Sequence, residues 1–214
     1  MRIIEPGYEI VRPAKTDVAA RMEILSAIED AARTCYKSAA KNQSPEATAK
    51  FVRNLVSAGH EAMIEHVGMT VRFCIDRGVS HEIVRHRVAS YAQESTRYCS
   101  YNKEKFGSEI TVVRPVAFEP DSEAYAVWKQ ACEACEQAYF ALLEKGVAPE
   151  FARDVLPTSL KTEIVVTMNL REWRHFFRLR AAGTTGRPHP QMRQVAQPLL
   201  EEMQRFLPEI FGDI

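Results

Sequence analysis

No stretch of 18 apolar residues occurs anywhere in the 214-residue chain, so no segment reads as a helix that crosses a bilayer. The opening Met1 to Tyr8 carries no apolar core of the kind a secretory signal needs, and a cytoplasmic location is expected. Net charge is also missing, because 28 Lys and Arg offset 28 Asp and Glu. A protein whose whole surface seeks nucleic acid or anionic membrane would be strongly basic, so any phosphate site must be local. Cysteine is sparse, with five scattered residues at 35, 74, 99, 132 and 135, an odd set that suits reduced thiols. Cys132 and Cys135 form a CxxC, yet they lie in a helical segment with no strand before it. A core-facing pair is expected there rather than redox chemistry. The chain has no Gly-x-Ser-x-Gly elbow, no phosphate-binding P-loop and no GxGxxG after a strand. A phosphorylated ligand would have to be held by arginines and helix N-termini.

What is present reads as one domain over 1–214, of α+β (mixed α/β) class, with a central sheet flanked by long helices. A short strand is expected within Ile3 to Arg12. Asp17 to Tyr36 reads as an amphipathic helix with Val18, Met22, Leu25, Ile28 and Ala32 inward. Ser44-Pro45-Glu46 is a helix start, and that helix should turn Phe51, Val52, Leu55 and Val56 inward and stop at Gly59. Val67 to Ile75 alternates as a strand with Val67, Met69, Val71 and Phe73 on one face. Helix is expected again from Val79 to about Arg87. The longest helix is expected from Asp121 to Lys145, burying Tyr125, Trp128, Cys132, Cys135, Tyr139 and Leu142. Glu163 to Met168 is rich in β-branched residues and reads as a buried strand. Asn169-Leu-Arg-Glu172 has the form of a capping box, and a last helix is expected from about Pro190 to Phe206. The pattern does not set the strand order.

Chemistry concentrates in Arg85-His-Arg-Val-Ala-Ser-Tyr-Ala-Gln-Glu-Ser-Thr-Arg97. Three arginines with fixed, always-charged forks stand among a titratable histidine and neutral hydrogen-bonding side chains. That mixture suits an anion with polar ring edges, such as a nucleotide. His81-Glu-Ile-Val-Arg-His86 approaches the zinc motif HExxH, but its second histidine comes at i+5. On a helix five residues rotate about 500°, leaving the imidazoles about 140° apart, so no metal is expected. Further along, Trp173, Phe176 and Phe177 mark an apolar helix face, and Arg180 falls on it at i+7, i+4 and i+3. Arg174 and Arg178 share a separate stripe that can face water. An inward arginine is costly unless paired or functional, so Arg180 reads either as a structural ion pair or as an electrophilic group in a dry pocket.

Arg85-His86-Arg87, seven residues and then Ser95 resembles the signature of the flavin-dependent thymidylate synthases. Ala31-Ala-Arg-Thr-Cys-Tyr36, Gly59-His-Glu-Ala-Met-Ile-Glu-His66, Val155-Leu-Pro157 and Asn169 through Arg180 follow in that family's order, covering most of 30 to 195. The resemblance implies that family's fold and chemistry: FAD as cofactor, NADPH and 5,10-methylenetetrahydrofolate as co-substrates, and methylation of dUMP to dTMP without a cysteine nucleophile. It implies a dUMP site of Glu82, Arg85, Gln93, Glu94, Ser95, Thr96, Arg97, Arg153 and Arg180, with Arg180 polarising the uracil. It implies FAD contacts from Ala62, Arg85, His86, Arg87, Gln93, Asn169, Arg171 and His175, and a homotetramer with shared sites. No nucleic-acid or membrane partner is implied. Three positions depart from the family pattern: Glu82 where glutamine is common, Ala62 where a hydroxyl is common, and a longer Gly183 to Pro190 loop. Two other readings stay open, a flavoprotein reductase of other chemistry and a non-catalytic nucleotide-binding module.

Overall fold

The computed structural model describes residues 1–39, 44–99, 101 and 107–214. They fall into two compact units, the first built from Met1–Gly7, Phe73–Arg85 and Ala92–Val165, the second from Tyr8–Arg72, His86–Tyr91 and Val166–Ile214. Strands β1 (Arg2–Ile4) and β5 (Thr111–Val113) pair in parallel, with Ile3 opposite Val112. Strands β2 (Gly7–Arg12), β3 (Gly68–Asp76), β4 (Ala89–Gln93) and β6 (Lys161–Asn169) form a four-stranded sheet ordered β2-β3-β6-β4. The single strand expected within Ile3 to Arg12 is thus two, and β4 and β5 are strands that the pattern did not announce.

In the first unit, α3 (Arg77–Ile83) starts where the Asp76 carboxylate accepts the Val79 N–H at 2.8 Å. It ends four residues earlier than expected. Val84 and Val88 beyond it are exposed, at 39% and 62%, so no apolar face is left to bury by continuing the helix. Arg85 therefore lies on a turn with His86 and Arg87 in irregular chain after it, and the rotation argument against a shared ion does not apply to them. Helix α4 (Glu123–Glu144) is capped by Ser122 and followed by Gly146 in the left-handed region at φ +79°, where a side chain would be strained. Cys132 and Tyr139 face a core that includes Ile110, Val112, Ala152 and Leu160. The other residues expected on the inward face of α4 are half-buried. Cys132 is a free thiol, pushed up to about 11 mainly by burial, which fits packing rather than reactivity. Short helix α5 (Pro149–Ala152) runs into a 3-10 turn at Arg153–Val155.

The second unit holds α1 (Val18–Tyr36, capped by Asp17), α2 (Pro45–Ser57, capped by Ser44), a 3-10 turn at Glu61–His66, and α6 (Leu170–Phe177). A π turn at Arg178–Ala182 follows α6, then α7 (Pro190–Phe206) and α8 (Pro208–Phe211). Leu25, Ile28, Val52, Ile64, Trp173 and Phe177 are fully buried in its core. Val18, expected inward, is 73% exposed, because it is the first residue of α1 and precedes the packed face. Buried Glu209 of α8 accepts from Arg21 of α1 at 2.6 Å and from Arg53 of α2 at 3.2 Å, tying three helices by charge.

The arginines of α6 reverse the expectation. Arg174 is the buried one, at 1% exposure, while Arg180 is only half-buried. Of the stripe assigned to water, Arg178 is partly exposed but Arg174 is covered: its Nε donates to Glu61 at 3.0 Å, its Nη1 and Nη2 donate to Asp213 at 2.6 and 2.7 Å, and Nη1 also donates to the Ile210 carbonyl. Extrapolating 100° per residue to Arg180 failed because the regular helix ends at Phe177 and the π turn changes the register. Removing one partner from a buried, paired charge costs about 3–5 kcal/mol. Arg174→Ala should therefore lower the free energy of unfolding by about that amount in urea titrations, and a change within error would contradict the account.

Candidate functional site

Each unit carries one cluster. In the first, the end of β4 delivers Gln93, whose amide nitrogen donates to Ser80 Oγ at 2.9 Å and to Thr162 Oγ1 at 3.2 Å. The next four residues leave the strand. Glu94 takes Lys161 at 3.1 Å, and Ser95 Oγ accepts the Arg97 N–H at 3.3 Å. Thr96 is buried with its hydroxyl on Arg153 at 3.1 Å. Arg97 is half-exposed beside Glu150 at 3.5 Å and over the ring of Tyr98. Arg85 is exposed, and Glu82 is half-buried on α3.

A cavity of about 310 Å³ joins Thr96 and Arg153 to residues the sequence reading passed over, Arg77, His81 and Asp154. Among the described residues, buried Arg77 Nη1 has no hydrogen-bond partner. Arg77 and His81 stand at i and i+4 on α3, so their shared face was legible from spacing once α3 is taken to begin at Arg77. The cluster is cationic and rich in donors, which is what a phosphate requires.

In the second unit, a cavity of about 530 Å³ is lined by Glu61, Glu65, Asn169, Arg171, Glu172 and His175, with Val88 and Arg178 beside them. Asn169 Oδ1 accepts the Glu172 N–H at 2.9 Å and so caps α6, leaving its NH2 outside the cap. Arg171, half-exposed, pairs with Glu65 at 2.5 Å, and Arg178 lies 3.5 Å from Glu61. Of the other expected flavin contacts, Ala62 and Arg87 are exposed and do not line this cavity. Glu65 stands in the quoted Gly59 to His66 run, but no role had been given to it.

His86 is buried at 3% exposure. Its ring packs edge-on against His175 and Phe176, and the Tyr91 hydroxyl donates to its backbone carbonyl. Arg180 Nε donates to His86 Nε2 at 3.2 Å. Burial first, then Arg180 and His175, hold the imidazole down at about 4, so it is neutral at pH 7. Nδ1 makes no hydrogen bond, although Glu172 Oε1 lies 3.4 Å away. Ligand atoms of His86, Glu172 and His175 lie within 4.8 Å of one another. With Nε2 accepting from Arg180, a cation among them would require an imidazole bare of both protons beside a permanent guanidinium.

The sequence model of the family described as thymidylate synthase complementing protein matches residues 18–209. The flavin-dependent thymidylate synthase of Geobacter sulfurreducens is 36% identical over 195 residues, covering 88% of this chain and 81% of that protein. The chain belongs to the flavin-dependent thymidylate synthase family. A Pyrococcus furiosus member is 40% identical over 157 residues, 72% of this chain, and the chain spans 62% of that longer protein. The fold is that of a UMP/dUMP methylase, PolB from Streptomyces cacaoi, at a TM-score of 0.76 and 21% identity over 99% of this chain and 96% of that one. Among the described residues of this family member, no helix is long and apolar enough to cross a membrane.

His86 also gives a pH signature. Its folded pKa of about 4 lies below the unfolded value of 6.5, so the unfolded chain binds the proton first as pH falls. The stability it contributes is complete above 6.5 and is lost as pH drops towards 4. Urea midpoints measured between pH 7 and 4 should fall more steeply for wild type than for His86→Gln; parallel curves would contradict the neutral, buried assignment.

Proposed function

We propose that this chain methylates dUMP at C5, taking the carbon from 5,10-methylenetetrahydrofolate and giving dTMP and tetrahydrofolate. FAD is the cofactor and NADPH the reductant that restores it. The carrying observation is Arg180, a half-buried guanidinium on a π turn whose Nε rests on a neutral imidazole. A cation fixed in place and partly stripped of water is worth more to a developing oxyanion than one in bulk solvent. In this reading Arg180 stabilises the ionised uracil ring, whose added electron density makes C5 nucleophilic, and C5 gives up its proton once the new carbon–carbon bond has formed. No cysteine needs to attack the ring, and burial pushes the thiols of Cys74 and Cys132 up, opposite to what a nucleophile needs.

Binding is divided between the clusters. Arg85, Ser95, Arg97 and Arg153 hold the dUMP phosphate, with Thr96 fixing Arg153 and with Glu82, Gln93 and Glu94 towards the nucleoside. The second cluster fits a flavin dinucleotide. Arg171 and Arg178 present cationic heads to its cavity, and Asn169 keeps an NH2 outside its cap. Asn169, Arg171 and His175 would hold the flavin beside His86, with Ala62, Arg85, Arg87 and Gln93 as further contacts. Bound flavin supplies the hydride that reduces the transferred carbon. The protein acts as a homotetramer whose subunits share these sites, in the cytoplasm.

Two measurements test this. Protein supplied with dUMP, methylenetetrahydrofolate and NADPH should make dTMP only when FAD is present; equal product after complete flavin removal would defeat the reading. Arg180→Lys should retain FAD and lose about a hundredfold or more in dTMP formation, the usual cost of one preorganised donor. Turnover near wild type would remove Arg180 from its role.

A further inference from the structure

We propose that Glu172 is a positioning residue: its carboxylate keeps the His86 proton on Nδ1, so that Nε2 stays bare to receive the Nε–H of Arg180. The inference rests on the dUMP-methylating role of Arg180 and adds a residue to it that neither the signature nor the implied contacts include.

The argument starts from donor counting. Arg180 can only donate, so its 3.2 Å contact with His86 requires a lone pair on Nε2. A neutral imidazole then carries its one proton on Nδ1. Among the described residues that buried nitrogen makes no hydrogen bond, and Glu172 Oε1 is 3.4 Å from it, close enough to bond but not aligned to do so in this state. The Glu172 side chain is only 13% exposed. Its backbone N–H goes to the Asn169 cap, while its carboxylate lies toward His86. The sequence had suggested a capping box, and the structure forms the Asn169 half of it.

The alternatives are worse by charge and by geometry. A proton on Nε2 would set two N–H groups against each other and expel Arg180. A doubly protonated ring would place a cation against a guanidinium, with His175 adjacent. The titratable and charged groups facing the ring are Arg180 from the π turn and Glu172 and His175 from α6, while Tyr91 of β4 engages its backbone carbonyl. With Nε donating to a buried ring packed against His175 and Phe176, the plane of the Arg180 guanidinium is set before substrate arrives.

Glu172→Leu removes the acceptor while nearly keeping volume, and Glu172→Gln keeps a carbonyl oxygen. We expect Glu172→Leu to weaken dUMP binding to the flavin-free protein about tenfold by calorimetry, and to lower kcat for dTMP more than it raises KM. Glu172→Gln should recover most of both losses. Burial raises the Glu172 pKa, and acid removes the acceptor by protonating it, so wild type should show an acid limb in kcat that moves to lower pH in Glu172→Gln. Circular dichroism and FAD content check that each variant is folded. Glu172→Leu binding dUMP like wild type, or Gln and Leu failing alike with an unmoved limb, would overturn the proposal. A wild type that binds dUMP through Arg180 but makes no dTMP would instead defeat the functional reading, and the binding comparison would still decide the role of Glu172.

Discussion

A guanidinium without water must be surrounded by acceptors, and the second unit is organised around satisfying that demand at Arg174. Its partners come from far apart in the chain: Glu61 on the 3-10 turn, Asp213 and the Ile210 carbonyl after α7. Glu61 in turn lies within 3.7 Å of Arg171 and 3.5 Å of Arg178. One buried charge therefore shares its partner Glu61 with a second arginine of α6 and with Arg178 at the start of the π turn. It also anchors the turn that carries Glu61 and Glu65 against the residues of α6. Satisfied networks of this kind cost heavily when broken, and that is what gives them one arrangement.

The consequence for the candidate site is a division of labour among arginines that look alike in sequence. Arg174 is structural and buried. Arg171 and Arg178 are held at the edge of a cavity with their heads partly in solvent. Arg180, on the π turn, donates to the imidazole of His86. Arg178 and Arg180 lie on the π turn, Arg171 and Arg174 on α6 before it. Such single-turn irregularities often accompany functional sites, because they re-aim one side chain without ending the helix.

Much of this was legible. Asp17, Ser44 and Asn169 act as helix caps, as short polar side chains before apolar periodicity should. Alternation gave β3, and β-branched residues gave β6. Only the family resemblance groups Thr96 with Arg153, and the two are hydrogen-bonded. The failures have physical causes. β4 lies inside a polar, charged segment whose strand character comes from pairing with β6, which no local pattern reports. The α6 arginines were misassigned because helical periodicity was carried through a register change, and because acceptors from remote segments cover the supposedly wet stripe. Arg77 was missed because α3 was started two residues late. Glu172 was read as a cap and nothing more, since its proximity to His86 is a tertiary fact.

The account turns on which atom of one imidazole holds a proton. With Nδ1 protonated and Nε2 bare, Arg180 has a fixed acceptor and the uracil a fixed cation; with any other state the two side chains repel. The ring nitrogens of His86, labelled with 15N and observed by NMR in the FAD-loaded protein at pH 7, report this directly. The account predicts a neutral ring with a protonated Nδ1 and an unprotonated Nε2. An imidazolium, or the proton on Nε2, would contradict it.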